Sequence, residues 1–254
     1  MNTTILPPTI NLHSLVRCNY KCGFCYAGFA SAKRPRIPQR ELHEIIRQIA
    51  LAARNPESGS RKVTFVGGEP LLSPTVLEDI AFARSQGLVT SLVTNGSLLT
   101  ADRIHRLAPI LDWLTISIDS QCADTNRHIG RAARGVTISA DDYLAKIHAA
   151  QAAGIRVKLN TVVNQANAVE DFRPFIRAAQ PRRWKLFQAT RIAEENGGDF
   201  DRWAISEDTF RAFVARHADL AREGVVLVPE TQADPTNRVI VSRLWTQNDR
   251  RPCR

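Results

Sequence analysis

Acidic residues are scarce in this sequence. There are 25 of them against 34 lysines and arginines, leaving a net charge of +9 and a pI near 9.8. That balance disfavours cationic partners and favours anionic ones: nucleic acid, nucleotides or phosphorylated metabolites. Long apolar runs are absent as well. No stretch of about eighteen apolar residues occurs, so no membrane span and no membrane partner is expected. Residues 1–8 are too short and too uncharged to read as a signal peptide, and no amphipathic leader helix follows, which leads to the expectation of a cytosolic location. Low-complexity segments and linkers are missing before about residue 230. Cysteine is also sparse. Three of the five cysteines fall within eight residues, and no fourth stands at a matching spacing.

What is present is a chain of 254 residues, 44% hydrophobic, long enough for one large α/β unit with a sizeable core. Strands are predicted at 9–15, 62–66, 88–94, 113–118, 156–163, 183–190 and 225–228. Helices are predicted at 38–54, 74–87, 100–109, 140–153, 168–179 and 206–222, with a turn at 55–60 and an arginine-rich loop at 127–136. Strands alternating with helices call for parallel βαβ units, and six or so of them suggest a barrel or partial barrel. Residues 1–230 are expected to form this domain, and 231–254 a poorly specified C-terminal tail.

The cysteines Cys18, Cys22 and Cys25 are spaced C-x3-C-x2-C. Three thiolates on one loop can hold three corners of a cubane iron–sulfur cluster, leaving one iron open to a small molecule. A zinc site would need a fourth ligand, for which His13 is the nearby candidate, and a disulfide is the less favoured alternative. Cys122 and Cys253 are distant and read as free thiols, while His105, His148 and His217 on predicted helices read as surface or packing residues.

Side-chain alternation separates the strands into two faces. Val63 and Phe65, Ile116 and Ile118, Val157 and Leu159, and Trp184 and Leu186 share the apolar parity that should meet the helices. The opposite parity carries Lys62 and Thr64, Thr115 and Ser117, Lys158 and Asn160, and Arg183, Lys185 and Phe187. Inward cations are costly without anions, and these four lack acidic partners on their own strands. A bound polyphosphate would satisfy them, whereas a nucleic acid would favour an outer basic face, so no stable nucleic-acid partner is expected. Gly67-Gly68-Glu69-Pro70 follows a strand; its glycines permit close backbone approach, and its carboxylate can hold an ammonium group.

The cysteine triplet with Phe24, together with Gly67-Gly68-Glu69-Pro70, resembles the radical S-adenosylmethionine (SAM) enzymes. Asn11-x-His13, the run 18–25, Asn95 to Leu98, Ile129 to Arg131, Lys158-x-Asn160, Arg183 to Gln188 and Val228 to Glu230 are similar to the viperin-like branch of that family. The resemblance implies a partial (β/α)6, TIM-like barrel, a [4Fe–4S] cluster on Cys18, Cys22 and Cys25, and SAM on its open iron. It implies SAM contacts from Phe24, Gly67, Gly68, Glu69, Ser117 and Arg131. It places a nucleoside triphosphate on Lys62, Lys158, Arg183 and Lys185, with Asn160 beside them and Asn11 near the base. The implied activity is that of a lyase: radical dehydration of CTP or another nucleoside triphosphate to its 3′-deoxy-3′,4′-didehydro form, an antiviral chain terminator. A flavodoxin or ferredoxin would supply electrons. Val66 stands where the family has serine, Leu15-Val16 replace Thr-Arg, and the family's closing segment with its tyrosine is not recognised after Glu230. Two other readings are a radical SAM enzyme for a different phosphorylated substrate and a non-enzymatic nucleotide or RNA binder.

Overall fold

The computed structural model describes residues 9–25, 36–54, 61–191, 196, 198–231 and 239–241. The expected turn at 55–60, Cys253 and most of the expected tail lie outside the described residues. Eight strands form one parallel sheet: β1 Thr9–Leu15, β2 Lys62–Gly67, β3 Val89–Thr94, β4 Trp113–Ser117, β5 Arg156–Val163, β6 Arg183–Gln188, β7 Val226–Glu230 and β8 Val239–Val241. Their order is β7-β6-β5-β4-β3-β2-β1-β8, so the sheet has two edges and is an open, not a closed, barrel. Among the described residues seven α-helices connect the strands: α1 Gln39–Ala52, α2 Val76–Ser85, α3 Ala101–Leu107, α4 Ala123–His128, α5 Ala140–Ala152, α6 Arg173–Ala179 and α7 Glu207–Arg216.

The apolar parity faces the helices as expected. Val63, Phe65, Ile116, Ile118, Val157, Leu159, Trp184 and Leu186 all join one continuous core with the buried faces of α1, α2, α5 and α6. Helix starts follow from local chemistry. Thr100, Ser139 and Ser206 each accept a hydrogen bond from the backbone amide three residues on, capping α3, α5 and α7.

Most ends fall within two residues of expectation, and the larger differences have local causes. Helix α6 begins at Arg173, not 168, because the Asn164 and Asn167 side chains instead bind backbone groups of a tight turn. The helix expected over 206–222 breaks at His217, whose ring accepts from the Phe172 amide while its own amide turns into a 3-10 segment. His217 is fully buried against Phe213 and Trp184, a packing residue as expected. Helix α4 falls in and before the arginine-rich stretch read as loop; its six residues, five of them polar, give too little periodicity to announce it. Within the expected tail, β8 pairs with β1.

Candidate active site

The inner face of the sheet is polar. Thr64, Ser91, Thr115 and Lys158 are buried there, and Asn11, Lys62, Ser117, Asn160 and Lys185 are half-buried, whereas Arg183 at the start of β6 is exposed. Adjacent strands bring these residues side by side: Lys158 pairs with Arg183, Asn160 with Lys185, and Ser117 with Asn160.

At the tips of β1 and β2 the backbone is shaped around the cysteine loop. The pairing of β1 with β2 shifts register between His13 and Leu15, which re-aims the chain just before Cys18. Gly68 and Glu69 then donate backbone hydrogen bonds to Leu15 and Arg17, each at 2.8 Å. A Cβ on Gly68 would lie 2.1 Å from the Arg17 carbonyl oxygen, so only glycine allows this approach. On the other side, Lys21 and Gly23 donate to the carbonyls of Gly130 and Ile129, each at 3.1 Å. The loop is thus strapped between the β2 tip and the turn after α4.

Glu69 sits at the joint and is fully buried. Its carboxylate accepts from the amides of Leu71 (3.0 Å) and Asn95 (2.7 Å) and from the Thr94 hydroxyl (2.8 Å). Burial pushes its pKa up, and these three donors oppose the shift. Asn95 carries the connection on: its side-chain amide donates to Asn19 (2.9 Å) and reaches toward the Cys18 sulfur at 3.9 Å.

Arg131 is buried beside Cys22. Its guanidinium pairs with Asp119 at 2.8 Å, donates to the Ser117 carbonyl, lies 3.8 Å from the Cys22 sulfur and stacks over Tyr20. Burial opposes its charge, but Asp119 and Cys22 hold its pKa well above the ordinary value. Asp119, the missed partner in this arrangement, also accepts from the Val162 amide. Phe24 is buried in a small apolar group with Ile129, Ala189, Phe200 and Trp203, and the Trp203 ring seals the loop against Gly23.

The donor set fits a cubane cluster. Cys18 and Cys25 are exposed, Cys22 is half-buried, and none of the three is in a disulfide. Burial raises the Cys18 thiol and pushes Cys22 up to about 12, and each is raised further by its neighbouring cysteines. Iron takes the place of such protons outright. Among the described residues no three side chains of the His, Cys, Asp or Glu type converge closely enough for a single metal ion. Three cysteine thiols on one loop are the donor type that such a cluster takes. Cys122 is a free, exposed thiol, as expected.

Lower in the chamber, the cations gather around a residue that sequence reasoning passed over. Trp113 opens β4 on the inward parity, with the Lys158 amine 4.2 Å, the Arg156 guanidinium 4.3 Å and the Lys62 amine 5.8 Å from its ring. Glu230 on β7 forms an ion pair with Lys185, so one of the four cations has an acidic partner from a different strand. Asn160 leaves a buried side-chain oxygen without a hydrogen-bond partner among the described residues. Cations in excess and an unmatched polar atom are what an anionic, hydrogen-bonding ligand would complete.

Comparison with known proteins decides the family. The model of the radical SAM superfamily matches residues 13–179. An S-adenosylmethionine-dependent nucleotide dehydratase of Flammeovirga pacifica is 38% identical over 92% of this chain and 79% of its own length. The chain belongs to the radical SAM superfamily and, within it, to the S-adenosylmethionine-dependent nucleotide dehydratases. Similar dehydratases occur in Lacinutrix mariniflava (34% identical, 96% of this chain) and Danio rerio (33%, 89% of this chain). This radical SAM chain spans 52% and 62% of those two relatives' lengths. Among solved structures, Streptococcus suis SuiB bound to S-adenosylmethionine superposes with a TM-score of 0.67 over 89% of this chain and 51% of its own. At 15% identity that likeness shows the fold, the open radical SAM barrel.

Proposed function

We propose that this radical SAM chain dehydrates a nucleoside triphosphate to its 3′-deoxy-3′,4′-didehydro analogue, an antiviral chain terminator. The observation that carries the reading is the pairing of an open three-cysteine loop with an interior lined by Lys62, Lys158, Arg183 and Lys185 in one chamber. When bound, the [4Fe–4S] cluster and SAM supply a 5′-deoxyadenosyl radical. Cys18, Cys22 and Cys25 would hold the cluster. The Gly67-Gly68 backbone, Glu69, Ser117, Arg131 and Phe24 would hold SAM.

The chain's own task is alignment and exclusion of water. Lys62, Lys158, Arg183 and Lys185 take the triphosphate charge, Asn160 binds beside it, and Asn11 lies toward the base. That grip would hold the ribose in one orientation, with its C4′ hydrogen presented for removal. With that chemistry supplied, the dehydration would remove the C4′ hydrogen as an atom and the 3′ hydroxyl with one proton as water, and would take up one further electron to complete the double bond. A flavodoxin or ferredoxin supplies that electron. No side chain is assigned as the acid that protonates the hydroxyl. Val66, inward at the β2 tip, is the position at which base preference is set.

The test is anaerobic turnover of reconstituted, reduced protein with SAM and each of CTP, UTP, GTP and ATP. One triphosphate should stimulate release of 5′-deoxyadenosine and be converted to a product lighter by one water. Stimulation instead by a phosphorylated compound that is not a nucleotide would replace this reading.

A further inference from the structure

Lys158 is buried and Lys62 half-buried on the inner face of the sheet. Among the described residues neither forms an ion pair, whereas Lys185 has Glu230 and Arg156 has Asp112. Arg183 is exposed and keeps its charge in water. Both amines lie over the Trp113 ring, at 4.2 and 5.8 Å from its centroid, close enough that each acts on the other's charge. An indole face attracts a cation but carries no net negative charge, so it cannot neutralise two. Like charges this close and this shielded cannot both persist.

We propose that Lys62 and Lys158, seated together on the indole of Trp113, form one proton-sharing receptor for a polyphosphate. Without ligand the pair carries a single positive charge, and the nucleoside triphosphate is bound together with about one proton. The inference rests on the nucleotide reading above and concerns how the ligand's charge is met.

The surroundings of the pair all act in one direction. From β5, Arg156 stands on the same ring, and from β6, Arg183 and Lys185 add positive charge. Strand β7 contributes Glu230, which is engaged with Lys185. Strands β3 and β4 contain no charged residue, and β1 offers only His13, which burial lowers to about 4 and so keeps neutral. Burial, followed by Lys62 and then Arg183 and Lys185, accordingly drives Lys158 down to about 6. A triphosphate supplies several negative charges to the same spot and reverses the imbalance. Trp113 is therefore a positioning residue. It holds two amines at one place in a form that tolerates the empty state.

The experiment is calorimetric titration of the reconstituted full chain with magnesium-free CTP, UTP, GTP and ATP in two buffers of different protonation enthalpy. At about pH 8.5 the triphosphate is itself fully ionised, so proton uptake reports the protein. The expected result is about one proton taken up per nucleotide, with the dissociation constant rising about tenfold per pH unit from neutrality upward. Lys158→Met, which leaves Lys62 as a lone ammonium with no amine to share its proton, should bind more weakly, without proton uptake and with a flat pH dependence. Tight binding by the natural chain with no uptake and no pH slope overturns the inference and leaves the nucleotide reading standing. So does a slope that survives in Lys158→Met. The proton count of the natural chain stands whether or not the variant folds. Failure of all four nucleotides to bind would remove the nucleotide reading itself.

Discussion

The Glu69 carboxylate accepts the backbone amide of Asn95 at 2.7 Å, a bond that joins the tip of β2 to the tip of β3. Through the Asn95 side chain, which binds Asn19 and approaches Cys18, this joint extends into the cysteine loop. Glu69 therefore has a framework role besides any contact with SAM. Glu69→Gln keeps the shape but turns an N–H group toward donors that need an acceptor. It should lower unfolding free energy by about 2 kcal/mol in denaturant titration and reduce iron retained after reconstitution. Unchanged stability with full iron content would show that the carboxylate does not organise the loop.

The glycines that let the loop be strapped down offer a second check. Gly130 has φ of +82°, and a Cβ there would fall 2.0 Å from the Lys21 carbonyl oxygen. Gly130→Ala should displace the loop from the turn after α4 and leave the protein folded by circular dichroism but poor in iron. Iron at the natural level would mean that this strap is dispensable.

His13 predicts a pH dependence. Burial lowers it from 6.5 to about 4, so the folded chain binds fewer protons than the unfolded chain between those values. Stability is then fully present above pH 6.5 and falls as the pH drops toward 4, by up to about 3 kcal/mol. His13→Gln should flatten that part of the curve when unfolding is followed from neutral to acid pH. An equally steep loss in the variant would assign the acid sensitivity elsewhere.

Glu230 competes with the ligand for Lys185. Glu230→Gln frees the amine and removes a negative charge from the chamber mouth, so nucleotide affinity should rise severalfold in equilibrium binding at low salt. A fall in affinity would mean that Glu230 orients Lys185 for the phosphate.

How much of this could be seen beforehand varies with the range of the interaction. The two-residue alternation of β2, β4, β5 and β6 sorted helix-facing from chamber-facing residues because it is a local property, and the core bears it out. The cysteine loop was legible from spacing alone. Trp113 was not: an aromatic at the start of a strand reads as packing until Lys62 and Lys158, 51 and 45 residues away in sequence, are brought to it. The same holds for Glu230 with Lys185, which the pairing of β7 with β6 brings together, and for Asp119 with Arg131, which the turn after α4 folds back onto the end of β4. Helix α6 began late because asparagine side chains captured the backbone of its expected first turn, a competition that apolar periodicity does not register. Strand β8 has three residues, too few for alternation to stand out.

The most direct measurement is mass analysis of each nucleoside triphosphate after anaerobic incubation with the reduced, cluster-loaded chain and SAM. The predicted result is one triphosphate converted to a product lighter by one water, matched by 5′-deoxyadenosine and abolished by serine at Cys18, Cys22 or Cys25. Release of 5′-deoxyadenosine that no nucleotide stimulates, with all four triphosphates recovered intact, would contradict it.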